Sequence, residues 1–258
     1  MTVKARPHLA KKRLDVLLVE RGLIESRQKA QAIILAGEVR VNGQRAEKTG
    51  ATFPVDAQVE IAGKGSPFAS RAGDKLDGAL QDFGVSPSNR ICLDAGSSAG
   101  GFTDCLVQHG ATKVYAVDVT IGQLAWKLQR DPRVVPLEMN VRYLEPEDLA
   151  ERPSLITADL SFISLSKVLP ALASTAQENA EFLLLIKPQF ELERGEVGAG
   201  GIVRDAKLQQ RAIERVRKAA EACGLRVVGV KPSRVQGAAG NQEFFLHAVR
   251  SASVKASG

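Results

Sequence analysis

The sequence predicts an α/β protein, a doubly wound, seven-stranded and mostly parallel sheet preceded by a small N-terminal α+β domain. Three observations point there. From residue 91 onward, short apolar runs alternate with helical patterns, the mark of βαβ units. The first sixty or so residues instead carry two short helical stripes followed by hairpin material. Charge divides at the same place: residues 1–64 hold 12 Lys/Arg against 7 Asp/Glu, whereas the rest hold 23 against 22, so most of the net +6 sits at the N-terminus. A basic module on a nearly neutral body points to a nucleic-acid-binding attachment, with a merely solvated basic tail as the alternative.

In the N-terminal module, Leu14, Leu17 and Leu18 form an apolar helical stripe that ends near Gly22. Ser26 is the expected N-cap of a second helix, with Ala30, Ile33 and Ile34 on one face and Gly37 as its stop. Val39 and Val41 alternate with Arg40 before Asn42-Gly43, a hairpin-turn pair, and Val55, Val59 and Ile61 supply later strand material. Arg13, Arg21, Arg27, Lys29, Arg40 and Arg45 are the candidates for one exposed RNA-binding face. The module spans 1–62, a Gly/Ser/Pro-containing linker 63–70, and the second domain 71–258.

In the second domain the expected strands are 91–96, 114–119, 134–139, 155–161, 182–188, 225–230 and 243–249, with the clearest helix at Asp205–Cys223. Only a Gly/Pro-rich loop separates the last two strands, which allows them to pair antiparallel. The first strand enters LDAGSSAGGFTD, a glycine-rich turn that lets backbone approach a ligand at a helix N-terminus. Its spacing is not the G-x-G-x-x-G of a dinucleotide site, and Asp94 would repel a pyrophosphate. A cofactor with a cationic, amino-acid-like head fits better, and S-adenosylmethionine is such a molecule. Asp94, Gly96, Ser97, Gly100, Gly101 and Phe102 are the candidates for its head, and Asp118, ending the second strand, for its ribose hydroxyls. Asn140 is either an adenine contact or a plain turn residue.

Four polar residues fall at strand ends or beside them: Lys75 ahead of the first strand, Asp159 in TADLSF, Lys187 in FLLLIKPQFE, and Glu243 in NQEFFLHAV. A lysine directly after a continuous apolar run stands at the ligand-binding edge of a parallel sheet. Asp159 and Lys187 should meet there beside the cofactor. Methyl transfer to a ribose hydroxyl needs its proton removed or its oxyanion stabilised, and lysines held in register by carboxylates supply that chemistry. Ser161–Ser164 either shape the substrate pocket or form a tight turn. The glycine-rich segment QFELERGEVGAGGIVRD is either a closing loop or a surface connection. Trp126 and Tyr115 are read as core or helix packing rather than as base-stacking platforms.

RLDVLLVERGLIESRQKAQAIILAGEVRVNGQ resembles the S4 RNA-binding domain over about fifty residues. GSSAGGFTD, TADLSFISLSKVLPAL, IKPQFE and the Lys-Asp-Lys-Glu set resemble the TlyA family of ribosomal RNA methyltransferases, which join an S4 domain to an FtsJ-like, Rossmann-like class I methyltransferase fold. The resemblance runs over roughly residues 11–249 and implies 2′-O-methylation of cytidine in ribosomal RNA by S-adenosylmethionine. It places Lys75, Asp159, Lys187 and Glu243 at the family's catalytic positions, and Asp94, Gly96, Asp118 and Asp159 at its cofactor positions. The partner implied is ribosomal RNA or a ribosomal subunit. Some members carry a longer C-terminal tail associated with action on both subunits, so 23S rRNA is the expected substrate and 16S rRNA is left open.

Composition narrows the alternatives. The chain is 44% hydrophobic and 25% charged, ordinary for a soluble globular protein, and no apolar run approaches the roughly 20 residues that span a bilayer. No membrane association is expected. Cys92, Cys105 and Cys223 are far apart and odd in number, so buried thiols and a cytoplasmic setting are expected rather than disulfides. Three scattered His lead to no expected metal site. Rival readings are a nucleotide-dependent oxidoreductase, which the glycine spacing disfavours, a non-catalytic RNA-binding or ribosome-assembly factor, and a membrane-lytic protein, a label some relatives carry.

Overall fold

Each apolar run after residue 90 becomes a strand, and the pattern of each run tells how deeply it lies. The computed structural model describes residues 11–251 apart from Gly22, Glu25, Gly43, Glu47, Gln58, 62–65, Arg194, 199–200 and 238–239. The chain divides into two compact units, Met1–Ser66 and Pro67–Gly258.

The smaller unit runs β1 (Lys11–Arg13), α1 (Leu14–Glu20), α2 (Arg27–Leu35), β2 (Val39–Val41), β3 (Gln44–Arg45), β4 (Thr52–Pro54) and β5 (Val59–Ile61). Leu14, Leu18, Ala30, Ile34, Val39 and Val41 form its core. Ser26 caps α2 by accepting from the Lys29 amide, and Gly37 takes the left-handed conformation just beyond its end. β2 pairs with β3 and β5; of the expected turn pair, Asn42 has a positive φ and Gly43 lies outside the described residues. Val55 follows β4 and is not itself in a strand. β1, which the sequence reading left out, pairs antiparallel with β4.

In the larger unit the order is α3 (Ala72–Phe83), β6 (Ile91–Ala95), α4 (Gly101–Gln108), β7 (Lys113–Asp118), α5 (Trp126–Gln129), β8 (Val134–Glu138), β9 (Leu155–Ala158), α6 (Leu169–Thr175), β10 (Glu181–Ile186), α7 (Pro188–Glu191), α8 (Ala206–Ala222), β11 (Leu225–Pro232) and β12 (Phe244–Arg250). The sheet order is β11-β12-β10-β9-β6-β7-β8. Its five strands from β10 to β8 are parallel, and β12 runs antiparallel to both its neighbours. The central strands are buried on both faces, which is why they read as unbroken apolar runs. One core layer gathers Ile156, Leu184, Leu169, Leu172 and Val216; the other gathers Leu76, Leu80, Leu106, Leu183 and Phe245. Each such side chain contributes roughly 1.5–3 kcal/mol through burial. β9 stops at Ala158, three residues before the expected end. Pro67–Ser70, read as linker, belong to the larger unit, where Pro67 accepts from Gln108 and the Phe68 ring lies where a Gly73 side chain would sit. No helix among the described residues is long and apolar enough to cross a membrane.

The six basic residues assigned to one exposed face have divided roles. Asp15 is fully buried and accepts from Arg13, Arg27, Gln31 and the Val16 amide. Those hydrogen bonds, that from Arg13 foremost, outweigh burial and hold its carboxyl well below the usual range. Arg21 is half-buried and donates to the carbonyls of Val55 and Ala57, so it ties α1 to the segment after β4 and does not belong to an open face. Arg40 and Arg45 pair across β2 and β3 and are exposed, as is Lys29, while Arg13 and Arg27 remain half-exposed at the rim of Asp15. Because the Asp15 pKa is depressed, its contribution is present at neutral pH and is lost as pH falls below about 4. Asp15→Ala leaves Arg13 and Arg27 without their anchor. It should raise amide hydrogen exchange in α1 and α2 at least tenfold while β6–β10 stay protected; equal protection in both variants would remove Asp15 as the organiser of this unit.

Candidate active site

The chain proceeds from β6 outward to β7 and β8, then returns to the other side of β6 as β9. Such a reversal opens a crevice beyond the carboxyl ends of the strands. A cavity of about 670 Å³ lies there, with Gly96, Asp118, Asn140, Asp159 and Phe162 in its wall. A second, of about 150 Å³, shares Gly96 and Asp159 and adds Ser97, Phe102 and Lys187.

Gly96 takes φ +87°, and a Cβ there would lie 2.7 Å from the Asp159 carbonyl oxygen. Glycine is therefore needed where the turn after β6 crosses the end of β9. Gly100 and Gly101 carry the turn into α4. Phe102 stacks on Phe245 with ring centroids 6.1 Å apart, and so belongs to the core as much as to the cavity. Asp118 accepts from the amides of Ser98 at 2.9 Å and Thr120 at 3.0 Å. With one donor on each oxygen, its carboxylate retains capacity for two hydroxyls. Asn140 makes the turn, accepting from the Arg142 amide at 3.0 Å, and lines the cavity.

Asp94 lies within β6, fully buried, and is not in the wall of either cavity. One carboxyl oxygen accepts from Thr103 at 2.6 Å; the other has no hydrogen-bond partner. Burial lifts its pKa to about 7; the Thr103 bond pulls it down, and the charges of Asp159 and Asp118 push it further up. A cationic group in the crevice would relieve three clustered carboxyls. Together with the phosphate-averse turn and the cavity's size, this donor set fits the head and ribose of S-adenosylmethionine.

Lys187 and Asp159 are 2.5 Å apart, with side-chain exposures of 11% and 13%. Lys187 also donates to Ser161 at 3.1 Å. Ile186 pairs with Phe244 across β10 and β12, so the residues one step beyond, Lys187 and Glu243, leave the sheet side by side. Glu243 is buried and accepts from Lys75 on α3 at 2.7 Å. A Cβ on Gly237 would lie 2.1 Å from Glu243 Oε1, so that loop presses directly on the carboxylate. The four expected residues thus form two ion pairs at one edge of the sheet. Lys187 and Asp159 line the cavities, whereas Lys75 and Glu243 do not.

Other residues matter that the sequence reading passed over. Glu191, buried on α7, accepts from Ser164 Oγ at 2.5 Å and from the Leu165 amide at 2.8 Å. It clamps the turn after Asp159 to the turn after Lys187, and its burial raises its pKa. Its place four residues after Lys187 in KPQFE was the available signal. Ser161–Ser164 line the cavity at Ser161, Phe162 and Ile163 and also make the turn. Phe162 is 92% exposed with φ +66°, a strained setting for a bulky side chain, and tilts against Phe190 at 5.3 Å. In the glycine-rich segment, Asn241 accepts from the Val203 amide and donates to the Gly201 carbonyl, which fastens its C-terminal end.

Two expectations need correcting. Trp126 is 65% exposed, since α5 turns Leu128 inward instead, while Tyr115 is core as expected. Cys223 is half-buried rather than buried; Cys92 and Cys105 are buried, and burial raises all three thiols. Asp77, Cys105 and His109 do converge, on α3 and α4. His109 and Asp77 are in direct contact at 2.8 Å.

A family model described as FtsJ-like methyltransferase matches residues 68–250, and one described as S4 domain matches residues 12–59. The chain is 47% identical over 236 residues to the 16S/23S rRNA (cytidine-2′-O)-methyltransferase TlyA of Mycobacterium tuberculosis, covering 91% of this chain and 88% of that one. It is 43% identical over 237 residues to Hemolysin A of Brachyspira hyodysenteriae, covering 91% and 98%. A solved structure of a presumed hemolysin from Streptococcus thermophilus superposes with a TM-score of 0.75 at 40% identity, covering 94% of this chain and 90% of that chain.

Asp94 gives a pH signature. Its folded pKa is raised above the unfolded value of 3.8, so without ligand it costs stability as pH climbs from about 4 to about 7, and no further above that. Asp94→Asn should therefore gain in melting temperature over wild type between pH 5 and 7, with the gap level from pH 7 to 9, while cofactor affinity falls. A gap that does not change with pH would rule out a raised Asp94 pKa.

Proposed function

The chain belongs to the FtsJ-like methyltransferase family, with an S4 domain at its N-terminus, and from that premise we propose that it transfers a methyl group from S-adenosylmethionine to the ribose 2′-hydroxyl of a cytidine in ribosomal RNA. The carrying observation is the Lys187–Asp159 pair in the wall of the cavities, at the strand ends that face Gly96 and Asp118. Substrate class rests on the TlyA relative and the S4 match.

Asp118 would hold the cofactor ribose, Gly96 and Ser97 would admit its amino-acid part, and Asp94 would balance its positive charge from beneath. When bound, S-adenosylmethionine supplies an electrophilic methyl on a sulfonium, which leaves as a neutral thioether. The protein's task is at the other partner. Lys187 Nζ meets the 2′-oxygen: as the methyl arrives, the hydroxyl proton moves to Nζ while Nζ passes one of its own to the Asp159 carboxylate, so the charge developing on the oxygen is met by the ammonium. Asp159 and Ser161 fix the ammonium in place. Lys75 and Glu243 form the second pair of the set, at the neighbouring strand end. Phe162 at the cavity mouth offers an open ring face on which an unstacked base can lie.

The test complements a strain lacking the gene with wild type, Lys187→Ala or Lys187→Arg, maps 2′-O-methylation across ribosomal RNA, and measures single-turnover rates with purified proteins. Wild type should restore methylation at a cytidine. Lys187→Ala should lose about 10²–10⁴-fold in rate at nearly unchanged cofactor affinity. It should also melt lower, because Asp159 is left buried without its partner. Lys187→Arg should recover that stability through Asp159 yet stay slow, since a guanidinium differs in shape and holds its proton. An active Lys187→Ala protein, or activity regained together with stability in Lys187→Arg, would reduce this lysine to a structural pair.

A further inference from the structure

The large cavity has a basic rim built from the segments that follow β8 and β9, with exposed aromatic rings on the segments around β8. Arg142 and Lys167 both line the cavity. Beside Arg142, Tyr143 is 67% exposed, with the Arg142 guanidinium 5.9 Å from its ring centroid. Trp126 stands at the start of α5, and the Arg130 guanidinium lies 3.9 Å over its ring. α5 leans on the cofactor turn: Leu124 and Leu128 fill the space a Gly100 side chain would need, and the Ala125 amide donates to the Ala99 carbonyl. Exposed aromatic rings are individually ordinary. Here two of them each carry an arginine, close to a cavity that already admits a substrate.

The charge arrangement favours one occupant. Asp131, Asp104 and Asp159 are paired with Arg133, Lys127 and Lys187, and the other carboxylate of the cavity wall, Asp118, is held by two backbone amides. Arg130, Arg142 and Lys167 make no ion pair among the described residues. Three unpaired cations with open aromatic faces suit a polyanion that carries bases, since base–aromatic stacking and guanidinium–aromatic contact act together on unpaired nucleotides. We propose that this rim is a second RNA-contact surface, borne by the methyltransferase unit itself, for the unpaired nucleotides flanking the target. Arg142 and Lys167 take phosphates at the cavity mouth, and the Trp126–Arg130 stack receives a flanking base. The inference rests on the RNA-methyltransferase reading but assigns work to residues outside the S4 domain.

The test uses the full chain with two probes: protein-free ribosomal RNA, and intact ribosomal subunits, both from a strain lacking the gene. Arg142→Ala/Lys167→Ala and Trp126→Ala/Arg130→Ala are compared with wild type for RNA affinity at several salt concentrations, cofactor affinity and thermal melting. Tyr143→Ser provides a further surface variant, should α5 not tolerate loss of Trp126. On both probes the Arg142/Lys167 double variant should bind more weakly, with a salt slope shallower by about 1.4, or roughly 0.7 for each lost phosphate contact. The stacking variants should bind roughly tenfold more weakly with less change in slope. Cofactor affinity should stay at the wild-type level in the Trp126/Arg130 and Tyr143 variants, whose residues line neither cavity. RNA affinity and slope equal to wild type in all variants would overturn the proposal. So would a loss confined to intact subunits, which would make the rim a ribosomal-protein contact. Weaker RNA binding by the variants, alongside a wild-type protein that binds RNA but does not methylate it, would support the surface and overturn the methyltransferase reading instead.

Discussion

The ion pair between Lys187 and Asp159 is the constraint on which the rest of this site depends. Its members leave adjacent parallel strands at their carboxyl ends, mostly out of water and 2.5 Å apart. A buried pair is a weak source of net stability, because desolvating two charges offsets most of their attraction. Its use is therefore positional. Everything around it serves to keep the two strand ends in register: Gly96 lets the cofactor turn close against the Asp159 carbonyl, Ser161 holds the lysine from the side, and Glu191 bolts the two following turns together.

Three carboxyls lie close together on this edge, and each is managed differently. Asp118 is satisfied by backbone amides, Asp159 by an ammonium, and Asp94 by one hydroxyl and by partial retention of its proton. That gradient would suit the proposed cofactor, which would enter with a positive charge and leave without it. The antiparallel last strand adds the remaining element. By running against β10 it delivers Glu243 to the same end of the sheet that the parallel strands deliver Asp159 and Lys187, which an all-parallel sheet would not do.

Much of this was legible in the sequence because the signals are local and strong. FLLLIKPQFE encodes a buried strand, its breaker and the lysine at its mouth within ten residues. LDAGSSAGGFTD encodes the turn, and the end of VYAVDV places Asp118. What was illegible depends on contacts between distant segments. The end of β9 at Ala158 is set by its neighbours, not by the apolar residues beyond it. Arg21 looks like any surface arginine until the carbonyls of Val55 and Ala57 are seen to face it. Trp126 looks like a packing residue because tryptophan usually is, but α5 turns Leu128 inward and leaves Trp126 on the surface. Beyond its place after Lys187, Glu191 carries no mark in the sequence of the buried clamp it forms behind the site, because its partners Ser164 and Leu165 lie on another segment.

The most direct measurement of the central claim is a double-mutant cycle on the pair, with single-turnover methylation of ribosomal RNA as the readout at saturating cofactor. Asp159→Ala, Lys187→Ala and the double variant are compared with wild type. If the two side chains act as one unit, each single variant should lose most of the rate, and the double variant should be no more than about twofold slower than Lys187→Ala alone. Losses that multiply would mean that Asp159 and Lys187 act independently, and would contradict the account of a single positioned pair.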